Sequence, residues 1–408
     1  MTTPLAGAPW LTAESSRKLM DVLTASGAEA RFVGGCVRDA LLGKIDADVD
    51  LDVATGLLPD QIIERLEAAE IKAIPTGIAH GTVTAIIAGQ SFEITTLRKD
   101  VACDGRHADV QFTDDFELDA KRRDFTINAM STDRLGRLFD YFGGVEDLKA
   151  GRIRFVGNAE ERVREDYLRI LRFFRFYARF GRPPADQQAL QACKVEAAGL
   201  ARLSGERIRS EMLKLLASGN AVTALTLMSE NKTLRHVLPI NVDLDALTRL
   251  IAVAPDSDPL LRLAALLKPN TTPKSTLAAV AAWRMSKAEA ARLESLVMEP
   301  LIPLPISMSE GMKKIYRLGE ETYLDLLKLS AKTTMELEAA LPVPEIPALP
   351  ITGQDLVDRQ VRPGPALGEL LKQLEDWWLD HDMQPDRAAL LQELDNRLRQ
   401  NPKTPQNP

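Results

Sequence analysis

Cysteine and histidine are scarce in this chain of 408 residues, which holds three of the former (Cys36, Cys103, Cys193) and four of the latter. The cysteines are odd in number, widely spaced and without a Cys-x-x-Cys, which argues against structural zinc and for a reducing, cytoplasmic setting. No histidines pair at ligand spacing, so a histidine-based metal site is not expected. Long apolar runs are also missing. None reaches the roughly 18 residues that a membrane span needs. The start, Met1-Thr-Thr-Pro-Leu-Ala6, has neither a basic flank nor an apolar signal core. Neither a membrane association nor export is expected, and nothing implies a protein partner.

A large charge excess is absent too. The net charge of −7 does not announce a nucleic-acid binder, but its distribution does more. From Lys121 to Arg182 there are 15 Lys+Arg against 9 Asp+Glu. Such a basic stretch in an acidic protein is either an electrostatic footprint for polyphosphate or RNA, or a solvated helix surface. The length exceeds what one compact core supports, so two or three domains are expected.

What the chain does have is a pair of neighbouring carboxylates. In Asp48-Val-Asp-Leu-Asp-Val-Ala-Thr55, a strand over 49–53 would project Asp50 and Asp52 to one face. Like charges that close are costly unless a cation lies between them. Oxygen-only ligands suit Mg²⁺, which typically takes one or two carboxylates plus substrate phosphates. Upstream, Gly34-Gly35 lies between a short strand at 31–33 and a helix predicted over 38–42, with Arg38 placed to reach a phosphate. Gly34-Gly35 lacks the third glycine of a dinucleotide fingerprint, so its value lies in position. The combination reads as nucleotidyl transfer.

The surrounding pattern predicts a small mixed α/β domain. A helix is expected at 14–26, one at 59–70 with Pro59 in its first turn, and strands at 71–75, 81–88 and 91–97. Residues 98–120 read as a long polar loop. A helix at 121–130, a strand at 137–142, a helix at 145–149 and a strand at 152–156 follow. Beyond 159 strand signals disappear, and helices are predicted at 159–179, 186–198, 205–217, 220–230, 244–253, 258–267 and beyond, the last strong one at 366–379. Pro-rich connectors at 300–305 and 342–350 suggest boundaries. The last residues, 401–408, are expected to be disordered.

Three further segments carry candidate chemistry. Arg122-Arg123 at a predicted helix start opposes the macrodipole, so either a bound anion or pairing with Asp114–Asp119 must resolve the conflict; Arg123 is the candidate triphosphate contact and Asn128 a support for sugar or turn. In Glu165-Asp-Tyr-Leu-Arg-Ile-Leu-Arg-Phe-Phe-Arg-Phe176, Asp166, Arg169, Arg172 and Arg175 follow at i,i+3 steps. That is either a salt-bridged helix or a base reader. Cytosine and adenine share an amino donor beside a ring-nitrogen acceptor, which one carboxylate and one guanidinium satisfy. Uracil and guanine reverse the order and would leave buried groups unpaired, at about 1–3 kcal/mol each. Arg172 and Arg175 would extend the positive surface toward phosphates. Asp140-Tyr-Phe-Gly-Gly144 is a hinge or a plain turn, and Glu93 is a candidate third carboxylate.

Taken together, Gly34-Gly35-Cys-Val-Arg38-Asp39, Asp50-Leu-Asp52, Arg122-Arg-Asp-Phe-Thr-Ile-Asn-Ala129, Asp140–Gly144, Glu165-Asp-Tyr-Leu-Arg169 with Arg172 and Arg175, and Glu206-Arg-Ile-Arg209 resemble the class II CCA-adding tRNA nucleotidyltransferases and their bacterial poly(A) polymerase relatives. The resemblance implies an α+β fold: a polymerase β-type nucleotidyltransferase head, a mixed sheet with helices, then an all-α neck, body and tail. It implies a catalytic head over 1–157, a neck and body over 158–241 for base recognition and RNA binding, and a body and tail over 242–408 for tRNA binding. Carried over, metal and catalytic roles fall on Asp50 and Asp52, triphosphate binding on Gly34, Gly35, Arg38 and Arg123, and base reading on Asp166 and Arg169, extended by Arg172 and Arg175.

Arg98–His107 resembles the flexible loop of CCA-adding members, although Ala102-Cys103 stands where many relatives have an aromatic. Leu349–Gly353 through Arg362–Pro365 and the following helix resemble a CCA-enzyme tail. The expected activity is template-independent CCA addition to tRNA 3′ ends from CTP and ATP with Mg²⁺, releasing pyrophosphate. The rivals are a poly(A) polymerase, a partial CC- or A-adding enzyme, a nonenzymatic tRNA-binding protein, and a nucleotidyltransferase acting on protein or small molecules.

Overall fold

A computed structural model describes residues 5–44, 49–78, 81–103, 108–268, 273–341 and 345–400. The described chain packs as two units, one holding residues 1–244 with 270–286, the other 245–269 with 287–408.

The first unit is built on a seven-stranded mixed sheet. Its strands are β1 (Ala30–Val33), β2 (Leu51–Thr55), β3 (Lys72–Gly77), β4 (Thr82–Ile87), β5 (Gln90–Thr96), β8 (Ser131–Thr132) and β9 (Leu138–Phe139), in the order β3-β4-β5-β2-β1-β8-β9. β2 and β5 run parallel while the other neighbours are antiparallel. The strands expected at 81–88 and 91–97 meet in a hairpin whose turn is Ala88-Gly89, one residue earlier than the Gly89-Gln90 turn expected: Ile87 faces Gln90, and Ala88 (φ 48°) and Gly89 (φ 83°) both take the left-handed geometry that matches strand twist. Pro59 opens the helix Pro59–Ala68, where its missing N–H costs nothing.

Several local expectations fail. Residues 98–112 are not a loop but a separate two-stranded ribbon, β6 (Arg98–Cys103) with β7 (Ala108–Phe112), its tip at 104–107 lying outside the described residues. The helix expected at 121–130 lies earlier, at Phe116–Lys121, because Asp115 caps it by accepting from the amides of Glu117 and Leu118. Only a 3₁₀ turn, Thr126–Asn128, follows. The strand expected at 152–156 is reduced to a single bridge, Phe125 to Phe155.

After the sheet the unit is helical. The helix expected over 159–179 is broken in two, Ala159–Glu165 and Leu168–Phe180. The second buries Ile170, Leu171, Phe173, Phe174, Phe176 and Tyr177 on one face and turns its arginines to the other. Phe173 and Phe176 pack on Phe125 at ring distances of 6.5 and 5.2 Å, joining the helix to the segment that leads into the 3₁₀ turn through buried aromatics worth about 1.5–3 kcal/mol each. Helices Gln187–Val195, Gly205–Leu216 and Ala221–Glu230 follow close to their expected bounds.

The second unit is all helical among its described residues. Its core gathers Leu374, Trp378, Leu390 and Leu394, each essentially inaccessible to solvent. Asp325, buried, ties helices together by accepting from Arg292 at 2.6 Å. Beyond the last strong helix expected, now Pro365–Asp380, a further helix Arg387–Gln400 follows, its Leu390 and Leu394 facing that core. Residues 401–408 lie outside the described ones.

Candidate active site

A pocket of about 820 Å³ opens where the sheet, the 3₁₀ turn and the helices from 159 onward meet. Asp50, Asp52, Gly34, Gly35, Arg38, Arg123, Asp166, Arg169, Arg172 and Arg175 all line it. These ten sequence-predicted residues are therefore gathered in one place, although several of them are held differently from expectation, and Glu93, the candidate third carboxylate, is not among the lining residues.

The carboxylates come first. Asp52 lies in β2 and stands in register with Glu93 of the parallel β5. Asp50 sits one residue ahead of the strand rather than within it, and is exposed. Burial, the neighbouring Glu93 and, more weakly, Asp50 push the Asp52 carboxyl up from its ordinary 3.8 to about 6, against the opposing pull of Arg123. Such a cluster of crowded oxygen donors fits a divalent cation, which would reverse the repulsion. Among the described residues no group of three or more His, Cys, Asp or Glu stands in metal-ligand geometry. Other ligands would have to come from substrate oxygens. Cys36, also on the pocket wall, is inert: burial and then Asp52 push its thiol up to about 12.

Next to the carboxylates the chain turns sharply. Gly34 has φ 75°, and a Cβ there would lie 3.3 Å from Arg123 Nη1 and 3.9 Å from Asp52 Oδ2. Only glycine suits this position, both for its backbone and for the closeness of those groups. The helix begins at Gly35, three residues earlier than expected, and Arg38 falls in its last turn. The Arg38 guanidinium is buried over the Phe180 ring at 4.4 Å. It donates to both oxygens of Asp39 at 2.9 and 3.0 Å and to Asn128 Oδ1 at 2.6 Å. Three of its five N–H donors are thus committed to the protein.

Arg122 and Arg123 do not start a helix; they follow the end of Phe116–Lys121. There the macrodipole favours cations, so the conflict read from the sequence vanishes. Both pair with the buried Asp119, at 2.7 and 3.1 Å. Burial would raise the Asp119 carboxyl, but the two arginines outweigh it and hold it below its ordinary value. Arg123 keeps Nη1 turned toward Gly34.

The base-reading expectation also changes in detail. Asp166 is not on a helix. It occupies the extended break between Ala159–Glu165 and Leu168–Phe180 (φ −152°, ψ 108°) and accepts from the Leu168 amide at 3.0 Å. It does not pair with Arg169. Arg169 instead donates to Glu165 at 2.5 Å and to the Arg162 carbonyl at 2.9 Å, while Asp166 accepts from Arg207 at 2.7 Å. Arg172 and Arg175 are not free to extend a positive surface either: Arg172 is held by the buried Asp124 at 2.5 Å and Arg175 by the buried Glu211 at 2.5 Å.

The alternative of pairing with Asp114–Asp119 holds for Arg122 and Arg123 through Asp119; sequence reading missed Asp124 and Glu211 as partners, and gave Arg207 no role although it falls in the Glu206–Arg209 stretch. No local signal marks these last three, whose partners lie 36 to 48 residues away. Asp140–Gly144 is a tight turn in which the Asp140 carboxylate accepts from the amides of Gly144 (2.8 Å) and Val145 (2.9 Å).

Known proteins resemble this chain in sequence and fold. Residues 30–154 match the family model of the poly A polymerase head domain, 186–243 that of the probable RNA and SrmB-binding site of polymerase A, and 261–394 that of tRNA nucleotidyltransferase domain 2. The chain is 34% identical over 400 residues to the CCA tRNA nucleotidyltransferase 1, mitochondrial, of Danio rerio, covering 92% of this chain and 89% of that one. It is 33% identical over 391 residues to the CCA-adding enzyme of Lactobacillus delbrueckii subsp. bulgaricus, covering 92% and 96%. Its fold superimposes on the crystal structure of the Bacillus stearothermophilus CCA-adding enzyme in complex with CTP with a TM-score of 0.75 at 28% identity, over 99% and 100% of the two chains. At 33–34% identity to these relatives over about nine-tenths of its length, the chain belongs to the CCA-adding tRNA nucleotidyltransferases.

Proposed function

We propose that this enzyme adds CCA to tRNA 3′ ends from CTP and ATP, releasing pyrophosphate, and that the pocket around Asp52 is where it does so. The observation that carries this reading is the convergence on one pocket of Asp50 and Asp52 with the glycine turn, Arg123 and the Asp166–Arg169 segment. Asp50 and Asp52 would hold divalent cations, Mg²⁺ by their oxygen chemistry, which acidify the tRNA 3′-hydroxyl and offset charge on the departing pyrophosphate.

The chain's own groups do the rest. Gly34, Gly35, Arg38 and Arg123 receive the triphosphate, Arg123 through the guanidinium edge left free of Asp119. Glu93, in register with Asp52, tightens the negative cluster and is the candidate acceptor of the hydroxyl proton. Asp166 accepts from the amino group of cytosine or adenine and Arg169 donates to the adjacent ring nitrogen. Most of the rate gain then comes from positioning and fixed charge. The helical parts beyond 158 serve base reading and tRNA binding.

The direct test is the product formed on tRNA ending at the discriminator base, with CTP and ATP together. Three added nucleotides and then a stop are expected; a long adenosine run would show a poly(A) polymerase, and fewer than three a partial enzyme. In the same assay, Asp166→Ala should raise UTP incorporation relative to CTP by roughly ten- to a hundredfold, the loss of one discriminating hydrogen bond. Unchanged selectivity would remove Asp166 from the reading.

Residence in the cytoplasm is proposed from the scarcity of cysteine, with Cys36 and Cys193 both free and buried. Fractionation of cells expressing the full chain checks it, and recovery in an organelle would refute it. Among the described residues no helix is long and apolar enough to cross a membrane.

A further inference from the structure

We infer that the uncovered face of β5 and β4, beyond Asp52, seats the 3′-terminal nucleotide of the tRNA, with the Thr84 hydroxyl bonded to the 2′-hydroxyl of that nucleotide. The inference rests on the proposed reading of the pocket as the nucleotide site, and deepens it by placing the second substrate.

The sheet has two unlike faces. Val83, Ala85 and Ile87 of β4, with Phe92 and Ile94 of β5, are buried, and the helix Pro59–Ala68 packs against β3 and β4. The alternate residues Thr82, Thr84, Ile86, Ser91, Glu93 and Thr95 are half-buried or exposed. Register sets Ile74, Thr84, Glu93 and Asp52 in one row across four strands, and directly paired residues share a face. The pocket of about 820 Å³ stops at Asp52 in this row; Glu93 is exposed next to it and forms no part of its wall.

Nucleotidyl transfer needs a seat on each side of Asp52. The 3′-oxygen bonds to the α-phosphorus, the bond to the bridging oxygen of the departing pyrophosphate breaks, and the hydroxyl proton passes to the candidate acceptor Glu93. Attacking and leaving oxygens lie roughly in line, on opposite sides of the phosphorus. The glycine turn and Arg123, which receive the triphosphate, stand on the β1 side of Asp52. The attacking hydroxyl therefore arrives from the other side, where the neighbour of β2 is β5. Thr84 lies one strand beyond Glu93, a step of about 5 Å, within the span of a single ribose.

The groups on this face suit a nucleotide end. Thr84 Oγ1 lies 2.8 Å from Thr76 Oγ1, a contact that orients it. A hydroxyl has one donor and two acceptor positions, so a ribose 2′-hydroxyl still finds a partner there. On the sugar that hydroxyl sits beside the attacking one. Ile74 and Ile86, both half-buried, offer apolar surface to a base, and the exposed Lys72, paired across the strands with Ile86, stands at the sheet edge where a backbone phosphate would pass.

The experiment measures kcat and KM separately for tRNA and for CTP, with the full-length protein and Mg²⁺, alongside thermal melting. The tRNA ends at the discriminator base, with either an ordinary or a 2′-deoxy terminal ribose. Thr84→Val keeps the branched shape and strand preference and removes the hydroxyl. It is expected to lower kcat/KM for the ordinary tRNA roughly three- to tenfold, the worth of one hydrogen bond, with KM for CTP and the melting temperature little changed. Thr84→Ser should restore most of the loss. On the 2′-deoxy tRNA, wild type and Thr84→Val should become equal, because the partner of the missing hydroxyl is already gone. An equal loss on both tRNAs, or a rise in KM for CTP with that for tRNA unchanged, overturns the inference. Failure of the wild-type protein to incorporate CTP at all would instead strike the underlying functional reading.

Discussion

Asp52→Asn is expected to cut nucleotide incorporation by at least about a thousandfold while leaving the protein as stable as before, or more so, in chelator at pH 8. The first half follows from the loss of one of two carboxylates able to carry cations. The second follows from electrostatics. The folded-state value near 6 lies above the ordinary 3.8, so between those values the folded chain holds a proton that the unfolded chain has released. The stability tied to that proton is fully present below about pH 4 and is lost as pH rises through 6. At pH 8 without a cation, Asp52 is a charge crowded by Glu93 and Asp50, and asparagine removes it. Melting curves in chelator at pH 4 and pH 8, beside an incorporation assay, check both halves together. A marked fall in melting temperature at pH 8 would mean that the lost activity reports unfolding, and incorporation within tenfold of wild type would end the assignment of Asp52.

The second large effect belongs to Asp124→Ala. Asp124 is buried and holds Arg172 at 2.5 Å, accepts from Asn128 Nδ2 at 3.0 Å, and accepts from the Phe125 amide at 2.8 Å. Asn128 in turn accepts from Arg38. One carboxylate therefore joins the arginine helix to the turn beneath the glycine pair. Burial alone would raise its pKa, but the Arg172 charge and these hydrogen bonds outweigh that and lower it. Removing it strands a largely buried guanidinium, at a cost of about 3–5 kcal/mol. For a unit of this size that is a fall in melting temperature on the order of 10 °C. Because the folded value is depressed, the contribution is present above the unfolded value near 4 and disappears as pH falls through the folded one. The gap between wild type and Asp124→Ala should therefore be full at pH 7 and narrow in strong acid. Equal melting temperatures at pH 7 would show that Arg172 finds another partner. KM for CTP and ATP should rise as well, since Arg38 loses the geometry of its Asn128 contact.

Much of this architecture is written in local sequence. Periodicity located Gln187–Val195, Gly205–Leu216, Ala221–Glu230, Pro259–Leu267 and Pro365–Asp380 to within a few residues, because helical hydrogen bonds join residues four apart and the buried stripe repeats accordingly. Where capping competed with periodicity, the reading slipped. Asp115 moved one helix ahead of Arg122, and Asp166 split another. The ribbon β6–β7 escaped because Arg98–Cys103 and Ala108–Phe112 carry no clean alternation of apolar and polar residues to detect.

By itself, then, the sequence determined which side chains are available to the site: Asp50, Asp52, the Gly34–Gly35 turn, Arg38, Arg123, Asp166 and Arg169, whose residue types and spacings already pointed to phosphate and base chemistry. Tertiary structure alone decided their partners. Glu93 meets Asp52 through a parallel pairing, Asp124 takes Arg172 across 48 residues, Glu211 takes Arg175 across 36, and Arg207 takes Asp166 across 41. The physical reason is range. Backbone hydrogen bonding and burial patterns act over one or two turns of chain, whereas an ion pair forms wherever packing brings opposite charges within a few ångströms, and no local pattern encodes that distance.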